Sequence, residues 1–266
     1  MFSFNLILTE RCNAVCTHCY MSSAEKCEKR TMTQSELLEI VNKFPEDTKT
    51  VVFTGGEVYL VRDLLYFAIK AVHEKNPSIE IGVETNGIWL YNNPDKVQAE
   101  FEELKSAGVS FVRFSDDVFH AQGGVDLDKV RALKEFENEN TPKIKYLVQT
   151  SAFGIGRAES LPEELKGKNN CMNTENSLQN PYLFLDVDGK VFTCAWKCCP
   201  SIGNMITDDW NTIVDAMDEK INKLILQGKI EEAVQQSINL DIEKCREIAE
   251  KEGQCKLCYN AFSKEV

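Results

Sequence analysis

The chain has 266 residues, 43% of them apolar, which suffices for one large domain or for a medium domain with a small appendage. Its 30 Lys and Arg face 42 Asp and Glu for a net charge of -12, and no stretch gathers basic residues into a phosphate-binding surface, which excludes nucleic acid as a partner. No run approaches the ~18 apolar residues that span a bilayer, and residues 1–8 lack the charged and apolar regions of a signal peptide, so a soluble cytoplasmic protein with no membrane partner is expected.

Over the first two-thirds, short β-branched runs alternate with longer helical patterns, the order of βα units around a parallel sheet. Strands are expected at 4–8, 50–54, 79–85, 111–114, 145–151 and 182–187. Helices are expected at 33–44, where Thr33 and Glu36 make a capping box, at 63–75, at 95–107 before a left-handed stop at Gly108, and at 126–137. Six parallel strands, most followed by a helix, predict an α/β fold of partial (β/α)6 TIM-barrel type, with chemistry at the C-terminal strand ends. After about residue 165 the pattern changes. Asp188-Gly189 joins the sixth strand to another at 190–194 as a tight hairpin, and helices follow at 210–227, 231–236 and 240–251. The expected domains are a core over 1–165, continuing to the sixth strand, and a C-terminal hairpin-plus-helices region over 166–266.

Eleven cysteines are too many for ordinary core thiols, and disulfides rarely persist in a reducing compartment, so metal ligation is the first expectation. Cys12, Cys16 and Cys19 follow the first strand at spacings of four and three, in a loop able to wrap a cubane. A 4Fe-4S cube normally takes four thiolates, so three leave one iron open. Zinc usually arrives with paired C-x2-C or Cys/His sets, and His18, lying between two of the cysteines, would strain such a wrap.

The triplet followed by Tyr20 resembles the signature of the radical S-adenosylmethionine (SAM) superfamily. The resemblance implies that the open iron chelates SAM, and that one electron, from a donor such as flavodoxin or ferredoxin, cleaves it to a 5′-deoxyadenosyl radical that abstracts hydrogen. It also assigns cofactor-binding positions. Gly55-Gly56-Glu57 ends the second strand where the family contacts the methionyl amino group, with Val58 in place of the usual Pro. Glu84, Asn86 and Ser115 end the third and fourth strands, where the family sets polar groups around the ribose. The run from Gly154 to Glu159 resembles the Gly-rich element against adenine, and Arg157 is expected to pair with the SAM carboxylate.

Cys171, Cys194, Cys255 and Cys258, with Gly189-x4-Cys194 on the hairpin, resemble the auxiliary region called Twitch, related to SPASM, and imply a second 4Fe-4S cluster. Zinc fits the same four-thiolate spacing. Cys198, Cys199 and Cys245 are alternatives to Cys194, or further ligands or hydrogen-atom donors, while Cys27 has no partner pattern. Asp116, Asp117 and His120, at a strand end facing the barrel mouth, are the candidate catalytic residues; capping or ion pairing around Asp117 explains them equally well.

Family frequency favours a ribosomally made peptide as the substrate. Against it, the chain starts at the first strand, with no room for a leader-binding domain, and its length with one auxiliary site resembles a small dehydrogenase that oxidises an aminocyclitol alcohol. A non-catalytic iron-sulfur or zinc protein would leave the Gly-Gly-Glu turn without purpose.

Overall fold

Residues 1–24 and 28–262 are described by a computed structural model; Cys27 lies outside the described residues. Strands β1 (Phe2–Thr9), β2 (Thr48–Gly55), β3 (Glu80–Thr85), β4 (Val109–Ser115) and β5 (Lys143–Leu147) are laid side by side, each parallel to the one before. Parallel strands covered on both faces read as continuous apolar runs. β1 shows why: from Phe4 to Thr9 every residue is buried, Leu6 and Leu8 completely.

The crossovers are α1 (Gln34–Asn42), α2 (Arg62–Lys75), the short α3 (Ile88–Tyr91), α4 (Val97–Ser106), the short α5 (Val118–Gln122) and α6 (Leu127–Ala132). The capping box forms as expected, Thr33 Oγ1 accepting from the Glu36 amide while the Glu36 carboxylate accepts from the Thr33 amide. Gly108 stops α4 at φ +106°, a value that suits glycine. The expected helix at 126–137 is divided, α6 giving way to a 3-10 turn at Leu133–Phe136.

β6 (Tyr182–Leu185) is parallel as expected, but it pairs with β1, and β7 (Val191–Phe192) runs antiparallel beyond it. The sheet order is therefore β5-β4-β3-β2-β1-β6-β7, six parallel strands and one antiparallel, open at β5 and β7. The hairpin between β6 and β7 is set by Asp186, whose Oδ1 accepts from the amides of Asp188 and Lys190, and by Gly189 at φ +79°. Arg30, in the segment after β1, pairs with Asp188 and ties the hairpin to that edge.

Five helices follow: α7 (Trp210–Asp218), α8 (Lys220–Leu226), α9 (Ile230–Ile238), α10 (Ile242–Glu252) and α11 (Gln254–Phe262). The single helix expected at 210–227 is two, because Glu219 adopts ψ 143° and leaves the helical region. α11 was not expected at all, and it carries Cys255 and Cys258 one turn apart. Among the described residues three apolar clusters result, a small one of Phe119, Ala152 and Ala158 and two large ones. The larger joins the sheet to the crossovers, and the second packs Phe153 and Ile155, from the segment after β5, against Ile225, Leu257 and Phe262 of the C-terminal helices. Among the described residues no helix is long and apolar enough to cross a membrane.

Candidate active site

The C-terminal strand ends Gly55, Thr85, Ser115 and Leu147 open onto a cavity of about 640 Å³ that runs between the two large apolar clusters. Cys12, Cys16 and Cys19 line it. Their loop is held from two sides. Arg157 donates from Nε to the Cys16 carbonyl at 2.9 Å and from Nη1 to the Ser23 carbonyl at 2.6 Å. Gly123, just past α5, lies so close that a Cβ there would stand 2.7 Å from Cys16 Sγ.

The chemistry of the three sulfurs fits an iron-sulfur cluster. Cys12 Sγ accepts from the Ala14 amide at 3.4 Å and from Asn86 Nδ2 at 3.8 Å, and Cys19 Sγ from the Ser23 amide at 3.5 Å. Such donors stabilise thiolate sulfur and tune a bound cluster. Burial pushes the Cys12 thiol up to about 11 and the Cys16 thiol up to about 12, so loading iron releases protons there. Among the described residues no three cysteine sulfurs lie within 4.8 Å of one another.

The residues expected to contact SAM divide into those that reach the cavity and those that frame it. Gly55, Gly56, Glu84, Asn86, Ser115, Tyr20 and Arg157 all line it. The Gly-Gly turn is pinned under the cluster loop, Gly56 N donating to the Thr9 carbonyl and Glu57 N to the Arg11 carbonyl, both at 2.7 Å. A Cβ on Gly56 would overlap the Arg11 carbonyl oxygen at 2.1 Å.

Glu57 itself turns inward and is only 1% exposed. Its carboxylate accepts from Tyr59 N at 3.0 Å, Thr85 Oγ1 at 2.7 Å and Asn86 N at 2.9 Å, joining β2 to the end of β3. Burial pushes this carboxyl up against the pull of those bonds. Glu84 is paired with Arg113 at 2.6 Å, a partner the sequence did not suggest because the two residues sit on different strands. Burial raises the Tyr20 hydroxyl, which stays neutral.

Of the three candidate catalytic residues only His120 lines the cavity. Asp116 is drawn off by α6, where Arg131 Nη2 lies 2.9 Å and Nε 3.0 Å from its carboxylate. Asp117 is buried behind the wall and caps α5, accepting from the Phe119 and His120 amides. Its Oδ1 also meets His120 Nδ1 at 2.9 Å. Burial opposes ionisation of Asp117, but the hydrogen bond and charge of His120 outweigh it and hold the carboxyl below its ordinary value. An ionised Asp117 only accepts, so His120 Nδ1 donates to it and Nε2 is the ring nitrogen left free of that bond. His18 stands against this pair, its ring 4.6 Å from that of His120, and burial lowers it to about 4.

Cys171, Cys194, Cys255 and Cys258 line the far end of the same cavity, and so do Cys198 and Cys199. Cys245 is buried on α10 and is absent from that lining, which sets it apart from the ligand alternatives. Phe153, Met172 and Tyr182 complete the wall without having been singled out. Only their position in the folded chain marks them, since two isolated apolar residues in loops and the first residue of β6 carry no motif.

The site thus sets a cysteine triplet and a Gly-Gly turn at the C-terminal ends of a parallel sheet. Residues 6–135 match the model of the Radical SAM superfamily, whose members use SAM and a 4Fe-4S cluster. The putative peptide biosynthesis protein YydG of Bacillus subtilis (strain 168) is 33% identical over 118 residues, 43% of this chain and 35% of that protein. GTP 3',8-cyclase of Clostridium perfringens (strain 13 / Type A) is 33% identical over 143 residues, 52% of this chain and 43% of that one. The chain thus spans less than half of the length of these two relatives. The crystal structure of BtrN in complex with AdoMet and 2-DOIA superposes with a TM-score of 0.59 at 18% identity, covering 87% of this chain and 90% of that one, a likeness of fold.

Proposed function

We propose that this radical SAM enzyme draws hydrogen from a peptide presented at the barrel mouth. The observation that carries the choice of substrate is the mouth itself. Among the described residues eight large apolar side chains are exposed, and five of them, Val15, Val118, Leu147, Val148 and Met172, sit on the segments that follow the strand ends or border the cavity. Exposed apolar side chains on the segments around an opening suit a surface that a ligand covers. An extended peptide covers such a rim, whereas a small polar metabolite leaves it wet. The description of YydG as a peptide biosynthesis protein points the same way.

Cys12, Cys16 and Cys19 hold the first cluster, and the backbone of Gly55 and Gly56 with Glu84, Asn86, Ser115 and Tyr20 shapes the SAM site beside it. Bound at the iron those cysteines leave open, SAM supplies a 5′-deoxyadenosyl radical on one-electron reduction by a donor of flavodoxin or ferredoxin type. Arg157 braces the cluster loop through the Cys16 and Ser23 carbonyls and would stand beside bound SAM from the cavity wall it lines. His120 Nε2 is the proton-accepting group of the cavity, and Asp117 is its positioning residue. Cys171, Cys194, Cys255 and Cys258, in a region distinct from the core over 1–165, hold a second 4Fe-4S cluster.

Oxidation of a small alcohol is the second reading. It is favoured by His120, because conversion of an alcohol to a ketone releases a proton that this imidazole can take.

The test pairs a variant with a choice of substrates. Anaerobically reconstituted protein with dithionite is expected to form 5′-deoxyadenosine from SAM, and Cys16→Ala to form none; product from the variant would overturn the cluster site. A peptide from a short reading frame beside the gene is expected to raise the yield and emerge with altered mass or configuration. Stimulation by an aminocyclitol, with none by the peptide, decides for the second reading.

A further inference from the structure

Inside its apolar run β1 carries a polar side chain of a type that strands disfavour, Asn5. Asn5 is only 9% exposed and lines the cavity, yet its Oδ1 is buried without a hydrogen-bond partner. A buried acceptor left unpaired costs stability, and a donor brought into the cavity removes that cost.

The register across the sheet shows what stands near it. Asn5 pairs with Val52, Val52 with Gly82 and Gly82 with Phe111. The Phe111 ring lies over Gly82, where a Cβ would stand 2.3 Å from its Cζ, and fills the barrel at that level. Two residues further along their strands, and so on the same face, Glu84 and Arg113 pair as the next layer, and both line the cavity. Arg113 Nη1 donates to Glu84 Oε1 at 2.6 Å, and among the described residues the rest of its donor fork has no acceptor. The ion pair is neutral as a whole. It therefore suits an uncharged acceptor on Arg113 better than a second carboxylate, which would leave a negative charge in excess beside Glu84.

Resting on the reading that a peptide enters this cavity, we propose that Asn5 and Arg113 form an amide-recognising subsite. One N–H of the peptide donates to Asn5 Oδ1, and the carbonyl of the same amide accepts from Arg113. An amide carries its donor and its acceptor on separate atoms, which matches partners on two successive layers, whereas a hydroxyl presents both on one atom. The amide is that of an Asn or Gln side chain or of the peptide backbone.

Reconstituted holoenzyme and the peptide from the short reading frame beside the gene test this through a double-substitution cycle in kcat/KM. Asn5→Leu keeps the branched shape and removes the amide. It is expected to lower kcat/KM for the peptide about tenfold, mostly through KM, and to melt no lower than wild type, since no buried acceptor is left unpaired. Arg113→Lys keeps the charge opposite Glu84 but loses the fork, and kcat/KM is expected to fall in the same way. In the peptide, each Asn and Gln is replaced by Leu, each Ser and Thr by Ala, and each backbone nitrogen is methylated, one change at a time. One Asn or Gln replacement, or one N-methyl group, is expected to cost as much as Asn5→Leu and to cost little more when combined with it. The first identifies a side-chain amide and the second a backbone one. Losses that add in every pairing overturn the subsite, and so does coupling to a Ser or Thr alone. An unchanged kcat/KM in Asn5→Leu, whatever its melting temperature, gives Asn5 to packing and overturns it too. A peptide that wild type does not turn over overturns the peptide reading and the subsite together, whereas turnover without coupling overturns the subsite alone. Should Asn5→Leu fail to fold, Asn5→Ala reads the same cycle.

Discussion

At the scale of the residue, Asp117 and His120 show how a local interaction sets chemistry. The Asp117 carboxylate caps α5 and fixes the His120 ring in one bond pattern, so a single side chain serves both the helix and the cavity. Asp117→Asn keeps the shape and removes the charge. Substrate turnover is expected to fall roughly a hundredfold, the scale of a mispositioned acid–base group, with KM little changed.

Stability gives an independent readout. The folded carboxyl is held below its unfolded value, so its contribution is complete above the unfolded value of about 4 and is lost as pH falls through the folded one. The difference in melting temperature between wild type and Asp117→Asn is therefore expected to be widest above about pH 5 and to close on acidification. A difference that stays constant with pH would show that the bond to His120 carries no charge.

Sequence could place these residues at a strand end and no further. Asp116 and Asp117 are neighbours with the same side chain, yet Arg131 on α6 takes the first and the His120 ring takes the second. That choice is made by an element fifteen residues away.

At the scale of the element, the legible features are those whose cause is local. The Thr33–Glu36 box and the Gly108 stop are complete within a few residues, and both formed. The partner of β6 is a tertiary choice between β5 and β1, and no periodicity encodes it. α11 escaped notice because Cys255 and Cys258 drew attention as ligands, although a spacing of three also places them on one helical face.

The junction of α5 with the cluster loop yields a prediction of the same kind. Gly123 has φ -82°, so alanine is tolerated by the backbone there, but its Cβ would press on the amide nitrogen of Cys16 at 2.6 Å. Gly124 is the inverse, with nothing within 4 Å but φ +97°. Gly123→Ala is expected to displace the loop and reduce iron by about four per chain. Gly124→Ala is expected to keep its iron and lose only about 1 kcal/mol of stability to backbone strain. Iron analysis with a denaturant titration separates the two, and equal iron loss in both would detach the loop from Gly123.

At the scale of the whole molecule, the two ends of one cavity bring the separate cysteine groups face to face, and the apolar rim lies on the segments around it. The motif spacings made both cysteine groups visible before folding. The rim was invisible, because Val15, Val118, Val148 and Met172 belong to four different segments, of which those after β1, β4 and β5 follow the C-terminal strand ends and Met172 lines the cavity. If the rim receives a peptide, charge placed there must weaken binding, at Val148 outside the cavity lining and at Met172 on its border. Val148 and Met172 are 59% and 60% exposed, so Val148→Asp with Met172→Asp is expected to leave stability within about 0.5 kcal/mol of wild type. The cost falls on the complex, where each carboxylate would be stripped of water against apolar side chains. KM for the peptide is expected to rise at least about tenfold, or about 1.4 kcal/mol, with kcat changed less, as removal of uniform binding requires. An unchanged KM in the double variant, with wild-type melting, would show that the substrate bypasses the rim and enters as a small molecule.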